Sequence, residues 1–397
     1  MRKSLTALAF GTFALGITEF VMMGILPQIA MDFGVSIAQA GYFISIYALG
    51  VCVGAPFTAV VCRRWPLKRI LCMLVSLMLT AALCMALCPT PEAGHSGMSW
   101  HFWLMMLFRF IAGMPHGAFF GAGSIVADRL SRAGKSSFAV AIMSSGMTFA
   151  NLIGIPLGTL LTSLLSWRLV FGFACLWEIC TLIAVIRWIP RMEPLPDHGI
   201  RGEFRFLKTL APWLIILSTI LGNGGIFCWY SYIAPTLTQL SGVPASWMTL
   251  VMVLAGSGMV VGNLVGGKLA DRVGPGHAGL TLECIIFVSL LLIALFAHNM
   301  WLSLLLMWFA AAGLFSVSAP QQLLLLRFSK GGELMGGAMI QLAFNLGNAI
   351  GAYLGGLPII ESDPQTYHLP AAIGAVMALL GVACYVAFCR RYERKHR

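Results

Sequence analysis

The chain has 397 residues, of which 59% are hydrophobic and only 10% charged, and its net charge is +11. Soluble domains average about a quarter charged and somewhat under half apolar, and one chain of this length has too little interior to bury so much apolar surface. The composition excludes an ordinary soluble enzyme, a disordered chain and a disulfide-stapled module, and leaves a membrane protein.

In chain order, apolar runs fall near 4–28, 38–62, 69–88, 100–126, 136–163 and 168–189, then near 211–233, 244–268, 278–297, 300–327, 334–360 and 370–389. Each is close to the roughly 20 residues that an apolar helix needs to cross a bilayer. The expected fold is therefore an all-α polytopic membrane protein with twelve transmembrane helices. The first run follows Met1-Arg2-Lys3, is too long for a signal-peptide core and precedes no A-x-A site, so it is expected to stay as the first span. The longest polar stretch, Pro190 to Lys208, divides the chain into a six-helix bundle at 1–189, a cytoplasmic linker at 190–210 and a second bundle at 211–397 with a basic cytoplasmic tail.

With the N-terminus inside, all but Arg109 and Arg168 of the 25 lysines and arginines fall in inside segments. That asymmetry places both termini in the cytoplasm and requires an even number of spans, because cytoplasmic loops accumulate Lys and Arg. The positive charge thus serves topology. Basic clusters interleaved with aromatic residues are absent from the polar stretches, so no nucleic-acid partner is expected. The 11 cysteines lie almost all inside apolar runs, with no CxxC pair and no Cys/His grouping of zinc spacing. They read as small hydrophobes, and neither a metal nor a cofactor is expected.

Shifting the sequence by 208 residues pairs Gly16 with Gly224, Pro27 with Pro235, Gly34 with Gly242, Gly50 with Gly258, Gly54 with Gly262 and Arg64 with Arg272. Small and kink-forming residues recurring in register imply that the two halves share one backbone design. Two parallel six-helix halves with substrate bound between them near the bilayer midplane is the plan of a secondary transporter.

Several short motifs stand out. The end of the eighth run reads Gly267-Lys-Leu-Ala-Asp271-Arg272-Val-Gly274, where a helix-end carboxylate can face another helix's positive N-terminus. The fourth run carries Arg109-Phe-Ile-Ala-Gly113 and Pro115-His116-Gly117-Ala118-Phe119-Phe120-Gly121. The fifth carries Asn151-Leu-Ile-Gly154-Ile-Pro156-Leu-Gly158, and Ser166-Trp167-Arg168 opens the sixth. With Gly11 to Phe20 in the first run, these strings resemble the major facilitator superfamily, and within its twelve-span drug:proton antiporter group the arabinose-efflux-permease type. The resemblance covers all twelve spans.

It implies two pseudo-symmetric six-helix bundles, alternating access, a small-molecule cargo, coupling to the proton, and a monomer in the inner membrane of a bacterium. It also implies that Gly267, Asp271, Arg272 and Gly274 form a conformational latch, and that Gly154, Pro156 and Gly158 form the helix-bending segment of exporters. The equivalent first-half loop has Arg63 where the family has Asp and Pro66 where it has Gly, so the latch is expected on the second-half side.

Ionisable groups inside spans are costly and mark functional sites by default. They are Glu19, Arg109, His116, Glu178 and Glu283. The resemblance places spans 1, 4, 7 and 10 around the cavity, which selects Glu19, Arg109 and His116 for proton coupling. Seven residues is about two helical turns, so Arg109 and His116 share a face. Glu178 and Glu283 lie on supporting spans, and Glu283, near a cytoplasmic end, is expected to reach water or a loop arginine. Asn223, Trp229, Tyr230, Gln321, Gln322 and Asn345 are the expected cargo contacts, with Asn151, Gln341 and Asn348 as further amides. Amides and rings suit neutral hydroxylated or planar cargo.

Other classes fit poorly. Gly262-Asn-Leu-Val-Gly-Gly267-Lys268 mimics the start of a phosphate loop, but Leu269 stands where Ser or Thr is required. No nucleophile and base set with the spacing of an enzyme is present. A facilitative channel-like permease, or a transport-related sensor without proton coupling, is the alternative reading.

Overall fold

The computed structural model describes residues 2–35, 37–40, 42–92, 97–154, 156, 162, 166–196, 199–360 and 363–393. No strand occurs among them. Twelve long helices follow in order: α1 Arg2–Phe33, α2 Tyr42–Val61, α3 Leu67–Ala86, α4 Trp100–Leu130, α5 Ser136–Phe149, α6 Trp167–Trp188, α7 Leu210–Tyr230, α8 Met248–Val273, α9 Pro275–Phe296, α10 Met300–Ser316 with its continuation Ser318–Phe328, α11 Glu333–Gly356 and α12 Leu369–Phe388. Among the described residues, 10 helices are long and apolar enough to cross a membrane. The apolar part of α2 is shorter, and α11 carries Gln341, Asn345 and Asn348 in an otherwise apolar stretch. Large apolar side chains such as Leu176, Ile183, Leu295, Leu305 and Val376 are exposed, as lipid-facing surfaces require.

Several ends differ from the sequence expectation. The eighth helix was expected at 244–268. It starts after a 3₁₀ turn at Ala245–Trp247 and continues to Val273, so Asp271 and Arg272 sit on its last turn. Gly274 stops it at φ +87°, a conformation that costs glycine little and other residues much. The described helix of the fifth run ends in a π turn at Ala150–Gly154, and Pro156 is also helical. Gly158 lies outside the described residues.

The chain forms two compact units. Unit 1 comprises Met1–Leu130, Ile142–Glu203 and Gly331–Ala338, and unit 2 comprises Ser131–Ala141, Phe204–Lys330 and Met339–Arg397. Each therefore takes in one short helix end from the other half of the sequence.

The repeat at 208 residues recurs in the backbone. Gly34 and Gly242, after α1 and after α7, have φ +65° and φ +73°. In unit 1, Gly50 and Gly54 of α2 face the carbonyls of Phe110 and Met114, and Gly16 of α1 faces Met147 and Ala150. In unit 2, Gly258 and Gly262 of α8 face the carbonyls of Trp308 and Ala312, and a Cβ on Gly224 of α7 would lie 2.9 Å from the Gly347 carbonyl. Absent side chains let these helix backbones touch, the usual device where lipid gives no hydrophobic drive for helix association.

Candidate functional site

The α2–α4 seam builds the charged centre of unit 1. A Cβ on Gly113 would run into the Tyr47 carbonyl, so α4 lies directly on the α2 backbone. That approach sets the Tyr47 ring against Arg109, whose guanidinium carbon stands 4.6 Å from the ring centroid. Arg109 is fully buried. Its Nε donates to the Phe43 carbonyl at 2.9 Å and its Nη1 to the Thr18 carbonyl at 2.7 Å. Carbonyl dipoles and the face of an aromatic ring are what a buried guanidinium needs in place of water. Nη2 has no hydrogen-bond partner among the described residues.

Two turns along α4, His116 lies on the same face. Its Nδ1 is 3.0 Å from the Tyr47 hydroxyl and 3.7 Å from Glu19 Oε2, and its ring stacks on Phe120 at 5.5 Å. Tyr47 thus touches both Arg109 and His116, and the tautomer of His116 decides which atom holds the shared proton. Among the described residues, the ion pair of Glu19 is with His116, while two donors of Arg109 are taken by backbone carbonyls. The sequence expectation missed Tyr47. The signal lay in its place three residues before Gly50, on a helix whose glycines fit it to the fourth span.

Glu178 on α6 and Glu283 on α9 are both fully buried, with no hydrogen bond to either carboxylate oxygen among the described residues. This corrects the expectation that Glu283 reaches water or a loop arginine. Cβ atoms on Gly222 of α7 or Gly381 of α12 would collide with its carboxylate, so those glycines open the space into which it turns.

In unit 2, Asn223 of α7 donates to the Phe344 carbonyl at 3.1 Å and to the Asn348 side chain, joining α7 to α11. Its Oδ1 is unbonded among the described residues. Trp229 is fully buried with Nε1 likewise unbonded, and Tyr230 packs its ring 5.9 Å from Phe227. Phe227, Phe344 and Phe315 continue the aromatic contacts at 6.4 and 6.0 Å. Gln321 and Gln322 are buried on the continuation of α10. Asn345 donates to the Gln341 carbonyl at 2.9 Å.

The motif at the end of α8 meets α5 within unit 2. The two oxygens of Asp271 accept from the backbone N–H of Ser137 at 2.9 Å and of Phe138 at 3.0 Å, which lie in the first turn of α5. A carboxylate there satisfies orphan donors and faces the positive end of the helix dipole. Asn263 adds a bond to the Ala141 carbonyl at 2.8 Å, and a Cβ on Gly267 would be 3.0 Å from the Ser137 carbonyl. Arg272 is exposed. Beyond the end of α5, Gly154 lies where a Cβ would be 3.2 Å from Ile17, and Pro156 is half-buried. The Trp-Arg pair opening α6 ties helix ends of unit 1 together. Trp167 Nε1 donates to Asp32 at 2.6 Å, and Arg168 donates to the Cys88 carbonyl at 3.0 Å.

Comparison with known proteins agrees with this arrangement. Residues 8–337 match the family described as the Major Facilitator Superfamily. AraJ of Escherichia coli strain K12 is 41% identical over 396 residues, spanning 100% of this chain and 97% of its own. The chloramphenicol resistance protein of Streptomyces lividans is 29% identical over 395 residues, spanning 98% and 96%. The crystal structure of the E. coli fucose:proton symporter FucP superposes with a TM-score of 0.73 at 15% identity, over 96% of this chain and 98% of that one. At that identity the likeness is one of fold.

Proposed function

The chain belongs to the Major Facilitator Superfamily, and from that premise we propose that this membrane transporter exports a small molecule, a sugar or drug-like compound, in exchange for protons. Like the rest of its superfamily it is a transporter and not an enzyme. The observation that carries the proposal is the buried group of Arg109, Tyr47, His116 and Glu19 in unit 1. Glu19 takes and releases the proton, His116 Nδ1 and the Tyr47 hydroxyl supply its polar surroundings, and Arg109 supplies the fixed positive charge. A carboxylate that alternates between a dry and a hydrated setting alternates its proton affinity, which is the requirement of antiport.

Cargo contacts are assigned to Asn223, Trp229, Tyr230, Gln321, Gln322 and Asn345. The free Oδ1 of Asn223 and the free Nε1 of Trp229 offer one acceptor and one donor. Export is supported by the Gly154-Ile-Pro156 segment and by the name of the Streptomyces relative. Asp271 and its hold on α5 act as the latch that each transport cycle releases and remakes. The working unit is a monomer whose halves 1–189 and 211–397 move about the 190–210 linker, in a bacterial inner membrane with both termini in the cytoplasm. A cysteine at Glu92, in a cysteine-free background, then labels with an impermeant thiol reagent from outside.

The deciding experiment is uptake into inside-out vesicles with an acidified lumen, using pentoses, hexoses, nucleosides, cationic dyes and chloramphenicol. Accumulation of one panel member that Glu19→Gln abolishes is the expected result. Flux that only dissipates gradients at channel rates, or undiminished accumulation by Glu19→Gln, overturns the proposal.

A further inference from the structure

At one end of unit 2, where α7 and α9 begin and α10 and α12 finish, lies a cavity of about 920 Å³. Four basic residues line it: Arg205 and Lys208 from the turn before α7, Arg327 from the last turn of α10, and Lys330 just after it. They come from segments far apart in sequence. All four are exposed, and none of their side chains makes a hydrogen bond or ion pair among the described residues. The single acidic group in the lining is Glu393, and it is already committed. Its carboxylate accepts from the Gly276 N–H at 2.8 Å in the first turn of α9 and pairs with His277. Four like charges at one hollow repel each other, and a bound anion relieves that repulsion.

The wall beneath this rim is apolar. Phe206 is buried, Phe328 packs on Phe388 at 5.4 Å, and Phe388 packs on Tyr392 at 5.5 Å. Val273 and Leu324 complete it. A small soluble anion would use the rim alone, whereas a phosphate carried on glycerol and acyl chains uses both rim and wall. Basic hollows between helix ends at the cytoplasmic leaflet suit anionic headgroups.

We propose that this cavity is a binding site for the headgroup of an anionic phospholipid. From the proposed function it borrows only the placement of this end at the cytoplasmic leaflet; the site itself needs neither proton coupling nor a particular cargo.

The test uses the full-length protein in nanodiscs of phosphatidylethanolamine with and without phosphatidylglycerol. Co-isolated lipid is read by native mass spectrometry and stability by thermal unfolding. The wild type is expected to retain phosphatidylglycerol selectively and to unfold at higher temperature in its presence. Arg327→Gln with Lys330→Gln should bind it about thirtyfold more weakly, and Arg205→Gln with Lys208→Gln should do the same. Arg390→Gln with Arg391→Gln removes equal charge from residues outside the lining and should leave binding unchanged. Unfolding in pure phosphatidylethanolamine checks that every variant is folded. Equal weakening by the Arg390 and Arg391 variant, or no preference for phosphatidylglycerol, overturns the proposal. Equal stabilisation by free glycerol phosphate overturns the lipid as ligand. Glu19→Gln should bind lipid as the wild type does, so a failure of proton coupling is read separately.

Discussion

In unit 1 the glycine seam between α2 and α4 carries a cation into the interior, while the matching seam between α8 and α10 in unit 2 leads to amides. Gly50 and Gly54 press α2 onto α4 much as Gly258 and Gly262 press α8 onto α10. Yet α4 bears Arg109 and His116, and the continuation of α10 bears Gln321 and Gln322. The carboxylates differ as well. Glu178 of unit 1 and Glu283 of unit 2 both lack a hydrogen-bond partner among the described residues, but unit 1 adds Glu19, which lies 3.7 Å from an imidazole. Close helix approach depends on missing side chains and repeats with the backbone; the groups it brings together are chosen separately in each unit. Under the proposed function, the charged group of unit 1 is assigned to the proton and the amides of unit 2 to cargo.

The largest expected effect tests the shared seam. Gly113→Leu and Gly262→Leu each force a side chain into a neighbouring backbone carbonyl, and each should cost about 3 kcal/mol or more. Gly172→Leu on α6 meets nothing within 4 Å and is the control, expected within about 0.5 kcal/mol of the wild type. Folded yield by fluorescence-detected size exclusion reads all three. Full yield from Gly113→Leu with loss from Gly262→Leu would break the parallel between units.

Next comes the division of chemistry. Glu19→Gln should lower pH-driven accumulation by about two orders of magnitude, as loss of a positioned proton carrier does. Gln321→Ala should shift the half-saturating cargo concentration by about fivefold and leave the proton-to-cargo ratio unchanged, since one lost hydrogen bond to cargo is worth about 1 kcal/mol. Tyr47→Phe keeps the ring under Arg109 and removes the hydroxyl beside His116, so slower coupling with normal folding is expected. A changed stoichiometry in Gln321→Ala would put the proton in both units.

A smaller effect separates the two loop motifs that follow α2 and α8. Asp271→Ala leaves two N–H groups at the start of α5 without their acceptor, a loss of about 1–2 kcal/mol. Hydrogen exchange at Ser137 and Phe138 should rise accordingly. Arg63→Ala removes a 3.3 Å bond to the Val60 carbonyl of its own helix end and should cost under about 0.5 kcal/mol. Equal losses in stability and transport would contradict a latch confined to the second-half loop.

These contrasts were unequally legible in the sequence. Gly34 and Gly242 paired at 208 residues, and their shared positive φ follows from a repeat visible in the letters alone. Asp271 was readable because a carboxylate at a helix end has few roles beyond capping a neighbour. Tyr47 was not, because its importance depends on how closely three glycines on two helices bring α2 to α4. Glu283 was misjudged by counting turns from a helix end, since the room for it is made by Gly222 and Gly381, which are distant in sequence. The end of α8 was set too early because charged residues were taken to end the helix, whereas a helix can leave the apolar layer and run on until Gly274 stops it. Likewise, residues 131–141 join unit 2 through contacts such as that of Asp271 with Ser137, which no local pattern announces.

The smallest expected effect concerns a place where the repeat lapses. Trp167 and Arg168 open α6, whereas Leu369 and Pro370 open α12, so among the described residues unit 2 has no counterpart of the tie between α6, α1 and the end of α3. Its own closure uses Thr366, whose hydroxyl accepts from the Ile360 N–H at 3.0 Å and donates to the Asp363 carbonyl at 2.7 Å. Trp167→Phe keeps a ring against Phe33 and Phe171 but loses the bond to Asp32. Asp32 is only half-buried and still receives from Gln28 at 3.2 Å, so water can replace the indole and the cost should be about 1 kcal/mol. Thr366→Val should cost about 1 kcal/mol as well, since it removes the acceptor of the Ile360 N–H. Hydrogen exchange resolved by segment distinguishes the two. Trp167→Phe should speed exchange at the end of α1 and leave 360–368 unchanged, and Thr366→Val should do the reverse. Acceleration of both segments by either variant would mean that these ends open together, and the two units would then share one closure in place of two.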